Sequence, residues 1–156
     1  MKKTNAMRIL ENMKICFDVL EYEYDPEDLS GTHIAESAGI DPETAFKTLV
    51  CRSETNANYV FVIPVEYELD LKKCASAAAV KRLELVHVKE LLPLTGYIRG
   101  GCSPVGMKKQ FPTFIDESAR IFDKIYVSGG LRGLQIRISP DDLALSVGAV
   151  FADLTR

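Results

Sequence analysis

A chain of 156 residues, 47% hydrophobic and 26% charged, is long enough for one ordinary domain with its own core. Its composition excludes a disordered chain, and no apolar run reaches the ~18 residues of a membrane helix. A net charge of −3 excludes a surface coated with nucleic-acid-binding cations, while leaving room for a local basic patch that touches one end of an RNA.

Thr4 is placed to cap a first helix whose apolar positions Ala6, Ile9, Leu10 and Met13 share one face. Alternation around Phe17 and Val19 predicts a strand within residues 15–24, and Asp25-Pro26 marks the turn after it. Thr32 is expected to cap a short helix ended by Gly39, and Asp41-Pro42 to start another, shorter one. Residues 46–52 and 59–65 flank the polar turn SETNAN and read as a hairpin. A small-residue helix over 69–79, a short strand over 80–86 and a helix over 87–92 follow. Beyond a glycine-rich stretch at 95–106, strands are predicted at 113–115, 124–127 and 134–138. Ser139-Pro140-Asp141-Asp142 is a strong helix start, Gly148 a stop, and the tail AVFADL a closing strand. Several strands are joined by turns too short for parallel crossovers. A mixed α/β sheet in one domain spanning 1–156 is therefore expected, rather than a doubly wound parallel sheet.

The segment Gly100-Gly101-Cys102-Ser103-Pro104-Val105-Gly106 is the strongest candidate for chemistry. Paired glycines let the backbone approach a ligand, and exposed N–H groups there could hold an oxyanion. A second loop, Ser128-Gly129-Gly130-Leu131-Arg132-Gly133, offers further donors and one cation. An ordinary tight connection is the plain alternative for both. Lys47, between Phe46 and Thr48, either faces a substrate or lies on a solvent face. Tyr22 and Tyr24 are candidates for stacking on a base, with core packing the commoner outcome. Lys108-Lys109 and Arg132 form a possible basic patch. His33 and His87 lie far apart without metal-ligand spacing, and no residue presents itself as the base that Ser103 or Cys102 would need as a nucleophile. The four cysteines, Cys16, Cys51, Cys74 and Cys102, contain no CxxC, so neither a disulfide scaffold nor a zinc knuckle is signalled. With an N-terminus that reads as an amphipathic helix, free cysteines suggest the cytoplasm.

FKTLV at 46–50, DLKKCA at 70–75, TGYIRGGCSPVG at 95–106, Lys108-Lys109 and IYVSGGLRGLQI at 125–136 together resemble the YbaK family, which includes the editing domain inserted in some prolyl-tRNA synthetases. The resemblance implies a mixed α/β fold with its sheet curled into a partly open barrel. It implies cleavage of an aminoacyl ester at the 3′ end of tRNA, with cysteine on tRNA-Pro, and less selectively other cysteinyl-tRNAs, as substrates. Its expected partners are aminoacyl-tRNA and prolyl-tRNA synthetase, with no DNA, no membrane, no metal and no cofactor. It places the family's lysine on Lys47, to hold the nucleotide end, and its pocket tyrosine on Tyr22. It places the substrate loop on Gly100, Gly101, Cys102, Ser103 and Pro104, and the second loop on Ser128, Gly129 and Gly130. N–H groups from Gly100 to Cys102 would orient the ester carbonyl, with Phe46 and Thr48 shaping the pocket. In cysteine-specific relatives the substrate thiol attacks its own ester, which agrees with the lack of a base or triad. Gln135 stands where some of those relatives carry an acidic side chain, and Cys102 where an aliphatic residue is familiar. A non-catalytic module binding tRNA or a synthetase, a sibling deacylase for another small amino acid, and a Cys102 hydrolase are the competing readings.

Overall fold

In the computed structural model, which describes residues 3–156, helix ends follow the capping chemistry of the sequence. The Thr4 hydroxyl accepts the Met7 N–H at 3.2 Å and opens α1 (Asn5–Asn12). Ala6, Met7 and Leu10 form its buried face; Met13, expected there, is the C-cap and largely exposed. Ser30 caps α2 (Gly31–Ala38) by accepting the His33 N–H, so the predicted cap at Thr32 is two residues late. Gly39, at φ +69, ends that helix in the left-handed region. Asp41-Pro42 opens only one 3-10 turn, Pro42–Thr44, because a strand begins at Phe46. Asp70 caps α3 (Leu71–Ala78), accepting from the Lys72 and Lys73 N–H groups. The helix predicted at 87–92 runs further, as α4 (Val88–Thr95), and carries Pro93 inside it. Ser139 and Gly148 bound α5 (Pro140–Val147) as expected.

Strands β1 (Asp18–Glu21), β6 (Ile125–Ser128) and β7 (Leu134–Ile138) form an antiparallel sheet in the order β1-β7-β6. The strand expected within 15–24 shrinks to the four residues that β7 pairs. The second sheet is mixed, as expected. It contains β2 (Phe46–Ser53), β3 (Asn58–Pro64), β4 (Leu83–Leu85), β5 (Thr113–Asp116) and β8 (Val150–Ala152) in the order β4-β2-β3-β5-β8. The predicted hairpin is the antiparallel β2-β3 pair, and β5 runs parallel to both β3 and β8. The strands thus occupy two sheets, which meet at an isolated bridge between Ala45 and Tyr126.

Two-residue alternation splits the hairpin between two cores. Phe46, Val50, Val60 and Val62 join the core with α1, β6, β7 and α5, whereas Cys51, Phe61 and Ile63 pack with Leu69, Cys74 and Leu83. Lys47 and Thr48 therefore lie on opposite faces of β2. The C-terminal tail is clasped by the Leu154 N–H to Asp116 Oδ1 bond at 3.0 Å and the Asp70 N–H to Leu154 carbonyl bond at 2.8 Å.

Candidate functional site

β4 pairs with β2 only from Cys51 to Ser53, so the first half of β2 has an open edge on that side. A cavity of about 570 Å³ lies along this edge. That volume suits a small organic ligand. Its walls come from the start of α2, the 46–50 stretch of β2, the start of α4, the glycine-rich loop and the smaller sheet.

Lys47, Phe46, Thr48, Gly100, Cys102 and Ser128 all line this cavity. Tyr22, Gly101, Ser103, Pro104, Gly129 and Gly130 do not, and all of these but Pro104 are engaged in hydrogen bonds elsewhere. The Gly101 N–H donates to the Ile98 carbonyl at 2.9 Å and closes a turn, so the expected run of free donors from Gly100 to Cys102 is interrupted. Gly100 and Cys102 keep N–H groups with no acceptor among the described residues. A Cβ on Gly101 would stand 3.0 Å from the Arg132 backbone nitrogen, because the two glycine loops pack on each other there. Arg132 Nε ties them further by donating to the Arg99 carbonyl at 2.8 Å. Ser103 is fully buried, and its hydroxyl accepts the Val105 N–H. The Gly129 N–H donates to the Leu134 carbonyl and the Gly130 N–H to Ser128 Oγ, both within the β6-β7 connection. Tyr22 donates its N–H to the Gly133 carbonyl, and its phenol oxygen is buried without a partner.

Gln135 is only 5% exposed and lines the cavity, and its side-chain amide makes no hydrogen bond among the described residues. Its cross-strand neighbour is Ser128. The Thr48 hydroxyl is likewise buried without a partner. Polar groups so placed call for a ligand or water.

The charged lining residues are Lys47 and Arg99, and no carboxylate side chain shares the wall. Burial pulls the Lys47 ammonium below the usual lysine range, with nearby Glu68 opposing. Burial pushes the Cys102 thiol up to about 12, with Thr95 opposing through a hydrogen bond. Near neutral pH Cys102 is thus a thiol and a poor nucleophile. His87, which looked inert in the sequence, holds the N-cap position of α4 and lines the cavity; His33 instead approaches Asp28 at 3.7 Å and lines no part of it. Lys108 and Lys109 are exposed and also outside the lining, so the basic character of the site comes from other residues. Ser30, Gly31, Thr32, His87 and Arg99 are lining residues that sequence reasoning did not select. A helix start near Ser30 was legible, though placed two residues late at Thr32, and nothing local tied it to a strand edge.

A family model described as the aminoacyl-tRNA editing domain matches residues 30–145, which include every lining residue except Leu29. A protein of Enterococcus faecalis (strain ATCC 700802 / V583), named as a candidate Cys-tRNA(Pro)/Cys-tRNA(Cys) deacylase, EbsC, is 46% identical over 154 residues, or 99% of this chain and 94% of its own. YwhH of Bacillus subtilis (strain 168), which bears no functional name, is 25% identical over 140 residues, or 89% of this chain and 87% of its own. A crystal structure described as a candidate trans-editing enzyme for prolyl-tRNA synthetase superposes with a TM-score of 0.84 at 26% identity, covering 100% of this chain and 99% of the other. With the site and the matched span coinciding, the chain belongs to the aminoacyl-tRNA editing domain family.

Proposed function

We propose that the chain is a trans-editing deacylase that removes cysteine from tRNA-Pro and, less selectively, from other cysteinyl-tRNAs. The carrying observation is the make-up of one cavity. Lys47 and the unpaired N–H groups of Gly100 and Cys102 share it, while its own thiol is held protonated. Such a site can position an ester and stabilise an oxyanion, but its thiol is not an activated nucleophile.

In this reading the nucleophile is the substrate's thiol, which loses its proton to solvent and attacks the ester carbonyl carbon. Gly100 and Cys102 N–H groups receive the developing oxyanion. Collapse breaks the bond to the ribose oxygen, which takes up a proton, and releases tRNA and a cyclic thioester. Lys47 holds the nucleotide end, and Phe46, Thr48 and Ser128 shape the pocket. Gly101, Ser103, Pro104, Gly129 and Gly130 hold the two loops in place, and Tyr22 supports the second loop through Gly133. The bridged sheets are taken as the partly open barrel of this family, and 1–156 as one editing unit. The reaction needs no metal or cofactor. Partners are the aminoacylated 3′ end of tRNA and prolyl-tRNA synthetase in the cytoplasm; DNA is no part of the reading. Among the described residues no helix is long and apolar enough to cross a membrane.

Gln135 favours a second reading, a sibling deacylase for another small amino acid, because a neutral amide stands where an acidic group is familiar. The deciding experiment is a panel of cysteinyl, seryl, alanyl and prolyl esters of tRNA-Pro. The first reading expects rapid loss of cysteine and survival of serine, since a hydroxyl is a far poorer nucleophile. Cleavage of the alanyl or seryl ester with the cysteinyl ester intact selects the sibling. Binding of tRNA with no ester cleaved, even beside the synthetase, leaves a non-catalytic module.

A further inference from the structure

We infer that the mouth of this cavity is an anion site built by the N-termini of α2 and α4, and that its occupant is a phosphodiester of the RNA carrying the ester. The first N–H groups of a helix have no partner inside it, and together they carry about half a positive charge. Ser30, Gly31 and Thr32 at the start of α2 and His87 and Val88 at the start of α4 all line the one cavity, and both helices are eight residues long. Ser30 takes the His33 N–H, which leaves Gly31 and Thr32 with free N–H groups among the described residues. α4 has no side-chain cap at all, and the Val88 N–H is also free. The first turn of α2 contains no acidic residue. That of α4 contains Glu90, which is engaged by Arg52 at 3.0 Å.

Charge on the wall agrees. In a chain of net charge −3, the charged lining residues are Lys47 and Arg99, neither of which makes an ion pair among the described residues. An independent sign of a ligand is Gln135, 95% buried by its 5% exposure, lining the same cavity with its amide unpartnered. The two requirements together describe a molecule with a neutral polar part for Gln135 and an anion for the helix ends. An amino acid esterified to RNA has no free carboxylate, so its nearest anion is a backbone phosphate. This identity for the anion rests on the deacylase reading; the anion site itself does not.

The test uses the full chain, adenosine 5′-monophosphate as probe, adenosine as its uncharged control, and amide NMR shifts as readout. The nucleotide is expected to shift the Gly31, Thr32 and Val88 amides in a saturable way, and adenosine to leave them nearly unmoved. Val88→Glu adds a carboxylate at the first, exposed position of α4, where a negative charge favours the helix and the fold is kept. The same charge repels a phosphate, and nucleotide affinity should fall about fivefold or more, with adenosine affinity unchanged. Unmoved amides, equal shifts with adenosine, or wild-type affinity in Val88→Glu would each overturn the inference. If the amides respond but no aminoacyl ester is cleaved, the anion site stands and the deacylase reading fails. Cleavage without any amide response overturns the anion site alone.

Discussion

Replacing Lys47 by methionine separates binding from folding. Methionine keeps most of the stem's apolar contact and deletes the charge. The Lys47 side chain has no ion pair or hydrogen bond among the described residues, and burial pulls its pKa below the ordinary 10.5. The folded state therefore holds this proton less well than the unfolded chain. The resulting penalty is full below the folded pKa and fades as pH rises toward 10.5. At pH 7 the variant should unfold at the same denaturant concentration as wild type or a slightly higher one. Activity should move the other way. A charge-assisted hydrogen bond to a phosphate is worth about 1.5–3 kcal/mol, and a half-buried donor belongs in the lower part of that range. The expected loss in kcat/KM on cysteinyl-tRNA-Pro is about 10- to 30-fold. Steady-state deacylation and urea unfolding on the same preparation check both halves. Undiminished kcat/KM would refute the placement of Lys47 at the nucleotide end. Lost activity together with an earlier unfolding midpoint would show that its role is structural.

Cys102→Ala should keep deacylation within about threefold of wild type, because a thiol held at about 12 is not an active nucleophile; abolished turnover would restore the cysteine hydrolase. Among the four cysteines only Cys16 is exposed, so a thiol reagent under native conditions should find one fast site. Burial raises Cys51, Cys74 and Cys102 from 9.0 to about 12. Between those values the unfolded chain loses thiol protons that the fold retains, so their contribution to stability should fall as pH climbs from 9.0 toward 12, readable as a falling urea midpoint. Asp116→Asn should cost about 1–3 kcal/mol in urea unfolding, since a carboxamide cannot accept on both sides from Ser118 and Leu154. It should also make the C-terminal tail an early site of proteolysis.

Local chemistry was largely legible in the chain. Ser139, Gly148, Asp41-Pro42 and Thr4 act through neighbours within four residues, so their roles as caps need no tertiary information. The β2-β3 hairpin was equally readable, because the polar stretch SETNAN between two apolar runs specifies it. The motif resemblance located the family and drew attention to Lys47 and both glycine loops. The folded arrangement decided the rest. Strand β1 is short because only β7 pairs it, and nothing within 15–24 records where β7 ends. The two glycine loops looked alike as ligand donors, yet Ile98, Leu134 and Ser128 consume the N–H groups of Gly101, Gly129 and Gly130. Histidine 87 and the Ser30 cap carry no catalytic spacing; they reach the cavity because α2 and α4 both begin where β4 leaves β2 uncovered. The sequence by itself determined most of the elements, the caps at Thr4, Asp41, Ser139 and Gly148, and the family. Only the tertiary structure decided which donors are free: the turns that use the Gly101, Gly129 and Gly130 N–H groups are short, but the two glycine loops pack on each other through contacts of Arg99 and Gly101 with Arg132, and residues that far apart in the chain leave no local trace of each other.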